Sequence, residues 1–401
     1  MMTGVWMWPE SIRRRDSATV FDECRRAGVT DVFFLTKGLA GTAAFLSPSV
    51  PPAEPGRDLL REVIDAAHGR GMRLHAWFTS ASDAHYKEEH PESGLCHYRD
   101  GRNRGIVSVR DAGYIRYMQG LLEEMVRRYD VDGVHLDYIR YNHLAFGWSE
   151  EDLAHYAAGG VDTEHIRSLM EKTFYGENPD KETIFRAFRE GDRDVIRLSE
   201  IRRKNVLAFA EALCGAVRAE KSGITLSSAL MPEGAYDDLA FSDLHYGQHY
   251  ADLAGLADLF LPMAYSRAYG KGADWVADVA RGTLRYGVKT LVGVQAYEGG
   301  TGLTLNADKK AAEEIPGAEG VCLFREGAFA TAYVGDRNLS LLNSTAAAVT
   351  SVRIAGEGGE AVLPVGIAPG EELQIRTDFA PVTVRAFVGE EKEIPVLTLD
   401  A

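Results

Sequence analysis

The feature of this sequence that most constrains its fold is a regular alternation of short apolar segments with amphipathic helical segments. Eight apolar segments are recognisable, at residues 5–8, 31–37, 73–79, from 131, from 224, 259–265, 290–297 and 320–326. They are rich in Val, Leu and Phe and carry charges mainly at their C-terminal ends, as parallel strands covered on both faces do. Eight repeated βα units predict closure into an α/β fold of the TIM (β/α)₈ barrel type. The alternative is a doubly wound open sheet, but WMWPES after the first strand is not a Gly-rich phosphate loop.

The chain of 401 residues is longer than a minimal barrel, which needs about 250 residues. We predict a catalytic barrel over residues 1–335, with a charged helical insertion at about 142–197. The insertion follows the fourth strand, so it should cover the C-terminal face of the barrel. Beyond residue 335 the apolar residues alternate with period two between turns such as GEGGE and APGE. This pattern predicts a small antiparallel, β-sandwich-like domain over residues 336–401 that buttresses the barrel, with carbohydrate binding as the alternative role.

Charge and cysteine content narrow the function classes. The net charge of −15 disfavours a nucleic-acid-binding protein, and the short basic run at 13–15 is expected to be a solvated turn. No two of the four cysteines have CxxC spacing, which favours reduced thiols over a zinc or redox site. No apolar run approaches the about 18–20 residues of a membrane span. The first residues do not resemble a secretion signal, so we expect a cytoplasmic protein, although a removed signal would leave the same sequence.

The fourth apolar segment carries the strongest candidate for catalysis. Side chains alternate along a strand, so His135 and Asp137 share one face while Val134 and Leu136 share the other. Apolar residues suit the helix-facing side, and we therefore expect His135 and Asp137 to point into the barrel. A buried carboxylate is costly unless it is paired, and Arg140 is the expected partner that keeps Asp137 ionised. The alternative is an ion pair that merely closes the barrel top.

If Asp137 takes part in acid–base catalysis, a second carboxyl group with the complementary role is expected nearby. Glu233, which follows the fifth strand, is our first choice by position. Glu298 and Glu326, after the seventh strand and at the end of the eighth, are reserves, and Asp274 is a weaker one. For each of them, an exposed loop acid is the alternative.

Other polar or aromatic residues at strand ends are candidates for substrate binding. Lys37 and Arg325 are the most telling, because such side chains are almost never buried without a partner. For each aromatic residue, including Trp6, the alternative to substrate binding is a place in the core. For His75 the alternative is a core histidine whose hydrogen bonds are satisfied. The full set of predicted substrate-binding residues is Lys37, His75, Trp77, His135, Arg140, Tyr265, Gln295, Glu298 and Arg325.

The segment VDGVHLDYIRY resembles the fourth-strand motif of the bacterial glycosyl-hydrolase-10-like family. The segments RLHAWF, DLFLPMAY and GVQAY agree with it, and the similarity covers about residues 3 to 330. The resemblance implies a barrel distantly similar to the α-amylase and α-galactosidase groups, with Asp137 as nucleophile or acid/base. Asn142 stands where many relatives have Pro, which alters the loop. Chitinase-type barrels place a Glu where this chain has Ile139, so a chitinase-like mechanism is rejected.

The favoured function is a glycoside hydrolase without metal or cofactor, acting on oligosaccharides or glycosides. In it, Asp137 attacks the anomeric carbon or acts as base, and Glu233 protonates the leaving oxygen. One alternative is a metal-dependent hydrolase or deacetylase using His75, His135 and Asp137, although no HxH or HExxH spacing is present. A Schiff-base aldolase using Lys37 and a non-catalytic carbohydrate-binding barrel are the others. Association into a homo-oligomer is left open.

Overall fold

A closed barrel of eight parallel strands forms the centre of the molecule. The computed structural model describes residues 1–99, 101–297, 299–389 and 391–400, and of residues 102–105 it describes the backbone alone. Within these ranges the strands before the C-terminal region are β1 (Met2–Met7), β2 (Asp31–Lys37), β3 (Arg73–Thr79), β4 (Gly94–His97), β5 (Gly101–Val107), β6 (Gly133–Asp137), β7 (Thr225–Leu230), β8 (Leu259–Pro262), β9 (Lys289–Gln295) and β10 (Ala318–Phe324). The barrel closes in the order β1-β10-β9-β8-β7-β6-β3-β2, which confirms the predicted fold class. The antiparallel hairpin β4–β5, in the loop after β3, was not predicted.

Helices lie in the connections between the barrel strands. Most pack against the outer face of the barrel, whereas those of the insertion pack in a separate cluster. The helices are α1 (Glu10–Arg14), α2 (Ser17–Arg26), α3 (Leu59–His68), α4 (Ala84–Glu89), α5 (Ala112–Arg128), α6 (Glu150–Ala158), α7 (Thr163–Met170), α8 (Thr183–Arg189), α9 (Arg193–Glu220), α10 (Tyr250–Leu253), α11 (Ala273–Leu284) and α12 (Gly302–Glu313). Several begin at an aspartate whose side chain accepts a backbone N–H of the first turn, as Asp111 does at α5. Among the described residues, no helix is long and apolar enough to cross a membrane.

The barrel interior is filled by a compact set of side chains that is separate from the core between strands and helices. Trp6, Phe33, Trp77, Leu259, Leu261, Leu291 and Cys322 form this inner cluster. Two polar contacts lie among them: the Trp6 indole donates to His135 Nε2 (3.1 Å), and His135 Nδ1 contacts Ser227 Oγ (2.9 Å). The interior is therefore a packed core that leaves space only at the mouth.

The helical insertion is anchored to the barrel by a buried arginine on α9. Arg202 is fully buried and donates to the backbone carbonyls of Phe146 (2.9 Å), His143 (3.2 Å) and His245 (3.1 Å). Its guanidinium also lies 3.8 Å from the centre of the Tyr141 ring. Because these partners come from the loop after β6 and from a turn after β7, Arg202 ties both loops to α9. That helix begins at Arg193, so its first turn lies within the predicted insertion at about 142–197.

We expect Arg202→Met to lower the free energy of unfolding by about 3 kcal/mol, because three buried carbonyls lose their donors. Chemical denaturation would measure this loss. Arg193→Met, at a site on the same helix whose side chain is 84% exposed, is the matched control and should be nearly neutral. Equal stability of the two variants would contradict the anchoring role.

The C-terminal region consists of two four-stranded sheets. Its strands are β11 (Ala330–Val334), β12 (Asn338–Leu342), β13 (Val349–Glu357), β14 (Gly359–Ile367), β15 (Glu372–Arg376), β16 (Ala380–Val388), β17 (Lys392–Ile394) and β18 (Val396–Asp400). The sheet orders are β15-β12-β11-β18 and β14-β13-β16-β17. The region begins at β11, a little before the predicted residue 336, and β11 pairs with β18 in parallel. It contacts the barrel through α12, where Asn306 donates to the Val396 carbonyl (2.9 Å).

Candidate active site

A cavity of about 240 Å³ lies at the carboxyl ends of the barrel strands. Its wall is mostly aromatic and apolar, and its polar members are Thr79, Asp137, Tyr138 and Arg140. The remaining lining residues are Trp6, Trp8, Leu35, Leu39, Trp77, Ala229, Met263, Tyr265 and Phe324. This is the end of a barrel where catalytic groups are expected. A largely apolar cavity with a few convergent polar groups is also the usual form of a small-molecule site.

Asp137, the last residue of β6, is the carboxylate of this cavity. It is 6% exposed, and its position opposite Thr79 of β3 follows from the strand register. Its Oδ2 accepts a hydrogen bond from the Trp77 indole (3.2 Å), and its Oδ1 accepts one from the Tyr138 backbone N–H (2.7 Å). Burial raises the pKa of Asp137, while Arg140 and these two donors partly offset the rise. The carboxylate is thus held by two fixed N–H groups at the base of the cavity.

Tyr138 adopts a left-handed backbone conformation directly after Asp137. Its φ of 54° is the only positive value among the described non-glycine residues. For an L-residue this conformation costs about 1–2 kcal/mol. It turns the chain out of the strand, so that the Tyr138 N–H bonds the preceding carboxylate and the ring faces Arg140 at 4.6 Å. Strained backbone next to a buried carboxylate is typical of functional sites.

Arg140 lies near two carboxyl groups without contacting either one closely. Its guanidinium packs over the rings of Tyr138 (4.6 Å) and Tyr246 (5.4 Å) and donates to the Tyr141 carbonyl (3.3 Å). Its positive charge lowers the pKa of Asp137 and of Glu233, although burial outweighs it at both. No ion pair joins Arg140 to Asp137 among the described residues, but the charge of Arg140 favours the ionised carboxylate, which is the predicted direction.

Glu233, in the turn Pro232–Ala235 after β7, is a second buried carboxyl group. It is 8% exposed, and its Oε1 accepts a hydrogen bond from the Tyr269 hydroxyl (3.2 Å). Its Oε2 is buried and has no hydrogen-bond partner among the described residues. Burial raises the pKa of Glu233, partly offset by its own backbone N–H, Tyr269 and Arg140. Glu233 is not part of the cavity wall around Asp137, and Arg140 links the two groups electrostatically.

A family model described as glycosyl hydrolase-like 10 matches residues 44–285, more than half of the chain. The protein belongs to this glycosyl hydrolase-like family. The matched span contains both buried carboxyl groups and Trp77, Arg140 and Tyr265, whereas Trp8, Phe324 and Arg325 lie outside it. Membership, together with the barrel, supports a glycoside hydrolase-like function.

Individual proteins agree with this assignment. Glycosyl hydrolase DigH of Escherichia coli (strain K12) is 25% identical, over 76% of this chain and 74% of its own length. Glycosyl hydrolase YngK of Bacillus subtilis (strain 168) is 29% identical over 27% of this chain and 23% of its own length. Among solved structures, the PgaB (BpsB) glycoside hydrolase domain from Bordetella bronchiseptica superposes with a TM-score of 0.62 at 13% identity, covering 81% of this chain and 94% of that domain. At this identity the structural match shows a shared barrel fold.

The structure brings four of the predicted site residues of this family member to one cavity: Trp77, Asp137, Arg140 and Tyr265. The predicted inward orientation of His135 and Asp137 is confirmed, but His135 lies deeper, between Trp6 and Ser227. His75 is also interior, where its Nε2 contacts Asp31 (2.9 Å) and its ring stacks on Phe33. Both histidines are buried and neither lines the cavity, so the structure does not place them at the substrate site.

The histidine positions also bear on the metal-dependent alternative. Burial lowers the pKa of His135 well below its usual value, so its ring is neutral, and both ring nitrogens already have partners. Within the described part of the chain, no three side chains of the metal-binding types are grouped closely enough to hold one ion. His75, His135 and Asp137 therefore do not form the ligand set that this alternative requires.

Lys37 does not reach the cavity, which corrects its prediction as a substrate-binding or Schiff-base residue. A register irregularity between Leu35 and Lys37 pairs Lys37 with Phe78, so its side chain points outward, away from the barrel axis. It is fully buried there and forms an ion pair with the buried Asp83 (2.9 Å). Its ammonium group also donates to the Ser82 carbonyl (2.9 Å) and the Tyr114 hydroxyl (3.0 Å).

The other predicted residues are dispersed. Gln295 accepts a hydrogen bond from the Ala268 N–H (3.0 Å) and so holds the loop after β8. The buried Glu326 accepts a hydrogen bond from the Ser11 hydroxyl and forms an ion pair with Arg15 (3.2 Å). These contacts favour a structural role. Asp274 is an exposed acid in the first turn of α11. Arg325 lines neighbouring cavities and packs 3.7 Å from the Trp8 ring centre. Glu298 lies outside the described residues.

The sequence analysis missed several residues that surround the two carboxyl groups. Met263 and Phe324 line the cavity, Tyr269 contacts Glu233, and Tyr246 packs against Arg140. Phe324 could have been found as the inward residue at the end of the eighth strand. The loop aromatics could not, because the path of a long loop is set by its packing and not by a periodic pattern.

We expect Lys37→Met to lower the free energy of unfolding by about 3–5 kcal/mol, because it leaves the Asp83 carboxylate buried without its counter-ion. The double variant Lys37→Met/Asp83→Asn should recover part of that loss, since the amide keeps the cap of α4 without a charge. A double-mutant cycle from denaturation curves would measure the coupling. Lys309→Met, which breaks a partly exposed pair with Glu313, is the control and should cost no more than about 1 kcal/mol. Additive losses would contradict a coupled buried pair.

Proposed function

We propose that the protein is a glycoside hydrolase in which Asp137 and Glu233 are the two catalytic carboxyl groups. The observation that carries the proposal is a pair of buried carboxyl groups at the ends of adjacent barrel strands, with the charge of Arg140 acting on both. Glycoside hydrolysis uses two such groups, one that donates a proton and one that acts as nucleophile or base. The aromatic wall formed by Trp8, Trp77 and Tyr265 suits the apolar faces of a sugar ring.

The hydrogen bonds favour different roles for the two carboxyl groups. Asp137 accepts one N–H at each oxygen, which stabilises its ionised form and suits a nucleophile or base. Glu233 accepts one hydroxyl at Oε1 and has a buried Oε2 without a partner. A proton on Oε2 would have no acceptor among the described residues, so a leaving-group oxygen brought against it would become its acceptor. We therefore assign the general acid to Glu233.

Hydrolysis of a panel of oligosaccharides and aryl glycosides tests the assignment. We expect Asp137→Asn to abolish cleavage of every substrate, and Glu233→Gln to lower kcat/KM for oligosaccharides by about 10²–10⁴-fold, the usual contribution of general acid catalysis. Dinitrophenyl glycosides need little protonation of the leaving group, so Glu233→Gln should cleave them nearly as fast as the wild type.

Two exposed acids provide matched controls for these substitutions. Asp278→Asn and Glu164→Gln change side chains that are 67% and 85% exposed, and should leave kcat/KM unchanged. Thermal melting would check that all four variants fold. Undiminished activity of folded Asp137→Asn would refute the assignment, whereas binding of sugars without cleavage by the wild type would favour a carbohydrate-binding barrel.

The pH dependence of kcat/KM gives a second test. The Trp77 N–H favours ionised Asp137, so its loss in Trp77→Phe raises the pKa of Asp137 further. Because activity requires this carboxylate to be ionised, the acidic limb of the profile should move to higher pH.

Tyr269→Phe is the companion variant that tests the alkaline limb of the pH profile. It removes a hydrogen bond that lowers the pKa of Glu233, so the alkaline limb should move to higher pH while the acidic limb stays. Trp148→Phe removes an indole donor whose partner is the Leu144 carbonyl in the insertion, and should move neither limb. If Trp77→Phe moved the alkaline limb, or Tyr269→Phe the acidic limb, the roles of the two carboxyl groups would be the reverse of those that we assign.

A further inference from the structure

We propose that a groove shared by the barrel and the C-terminal sheets binds additional sugar units of a glycan whose cleaved bond lies at Asp137. This inference rests on the proposed glycosidase activity and specifies its substrate class, namely a chain of several sugar units in preference to a simple glycoside. It also gives the C-terminal region a part in substrate binding, in addition to its packing against α12.

The groove adjoins the cavity around Asp137. A second cavity of about 380 Å³ shares Trp8 and Phe324 with the first. A third, of about 410 Å³, shares Arg325, Gly327, Thr345 and Ala346 with the second. A ligand that extends from the first cavity past Trp8 and Phe324 would therefore meet a further concave surface.

The walls of the second cavity come from both parts of the chain. The barrel contributes Trp8, Tyr297 and Arg325 at the ends of three neighbouring strands. The C-terminal sheets contribute the loop 345–347 and the segment around Ile394 and Pro395. The fold thus encloses this space only when the two parts are together.

Arg325 has the contacts expected of a sugar-binding arginine. Its guanidinium stacks on Trp8 at 3.7 Å and donates to the Glu326 carbonyl (3.3 Å). No carboxylate forms an ion pair with it among the described residues; burial lowers its pKa, and the charges of Glu326 and Glu10 partly offset that effect. A half-buried arginine without an acidic partner retains N–H groups for a ligand, and sugar hydroxyl groups are suitable acceptors.

The loop that faces Arg325 is held in place by its own hydrogen bonds. Asn343 donates to the carbonyls of Ala347 (2.9 Å) and Ile367 (2.9 Å), and its Oδ1 accepts from the Thr345 hydroxyl (2.7 Å). Ala346 and Ala347 are exposed at the surface of this fixed loop. A preformed wall of this kind binds a ligand without an additional ordering cost.

The test compares cleavage of malto-, cello-, galacto- and chito-oligosaccharides of two to eight units. We expect wild-type kcat/KM to rise with chain length on the cleaved series. Ala346→Trp, which fills the groove from an exposed position, and Arg325→Met should lower the ratio between the longest and the shortest cleaved substrate by about tenfold, the loss of one good subsite contact. Val362→Trp, at a 58% exposed site on β14, the opposite edge of the sheet from β17, should keep the wild-type ratio.

Two results would contradict the proposal that this groove binds sugar units. A kcat/KM independent of chain length, or a full length advantage in folded Ala346→Trp, would refute it while the assignment of Asp137 and Glu233 stands. If the wild type cleaves none of the four series, the proposed glycosidase activity on these glycans is refuted. Calorimetric binding of the octamers to the wild type and to Ala346→Trp would then test the groove by itself. Binding that Ala346→Trp weakens would support the groove alone, and the absence of binding would overturn it too.

Discussion

The hydrogen bond from the Trp77 indole to the Asp137 carboxylate depends on closure of the barrel. Trp77 and Asp137 lie on neighbouring parallel strands whose register places His135 beside Trp77 and Asp137 beside Thr79. Closure turns alternate residues of both strands toward the axis, so the indole and the carboxylate meet at the mouth. The other members of the inner cluster fill the barrel beneath this pair. The burial that raises the pKa of Asp137 is therefore a consequence of the fold, not of one neighbouring residue.

Polar groups inside the barrel are arranged so that each charge has a partner. Asp31 accepts from His75, Thr30 and Arg73, and although burial opposes it, these contacts lower the pKa of Asp31. His135, between Trp6 and Ser227, stays neutral. Satisfied groups of this kind specify how the interior packs and remain bound to each other. Asp137 differs from them in facing a cavity, and that difference is why we propose it as the reactive group.

The sequence was sufficient for the barrel because the alternation of short apolar segments with amphipathic helical segments reports local structure directly. It also identified Trp77, Asp137 and Tyr265, since strand alternation fixes which face a side chain takes. Lys37 was misplaced because a register irregularity in β2 reverses that alternation over one residue, and nothing in DVFFLTK signals it. The position of Arg140 could not be predicted for another reason: its guanidinium packs on the rings of Tyr138 and Tyr246, and one of them comes from a loop more than a hundred residues away.

The two buried carboxyl groups illustrate how one fold can make chemically different sites from similar residues. Both lose hydration, which favours their neutral forms. Asp137 recovers part of that cost from two N–H donors fixed by β3 and by the left-handed Tyr138, whereas Glu233 recovers part of it from its own backbone N–H and from a tyrosine on the loop after β8. Arg140 acts on both, so a change in the charge of one carboxyl group alters the environment of the other. Proton transfer from Glu233 would leave two negative charges near one guanidinium, which favours reprotonation of Glu233 as long as Asp137 is ionised.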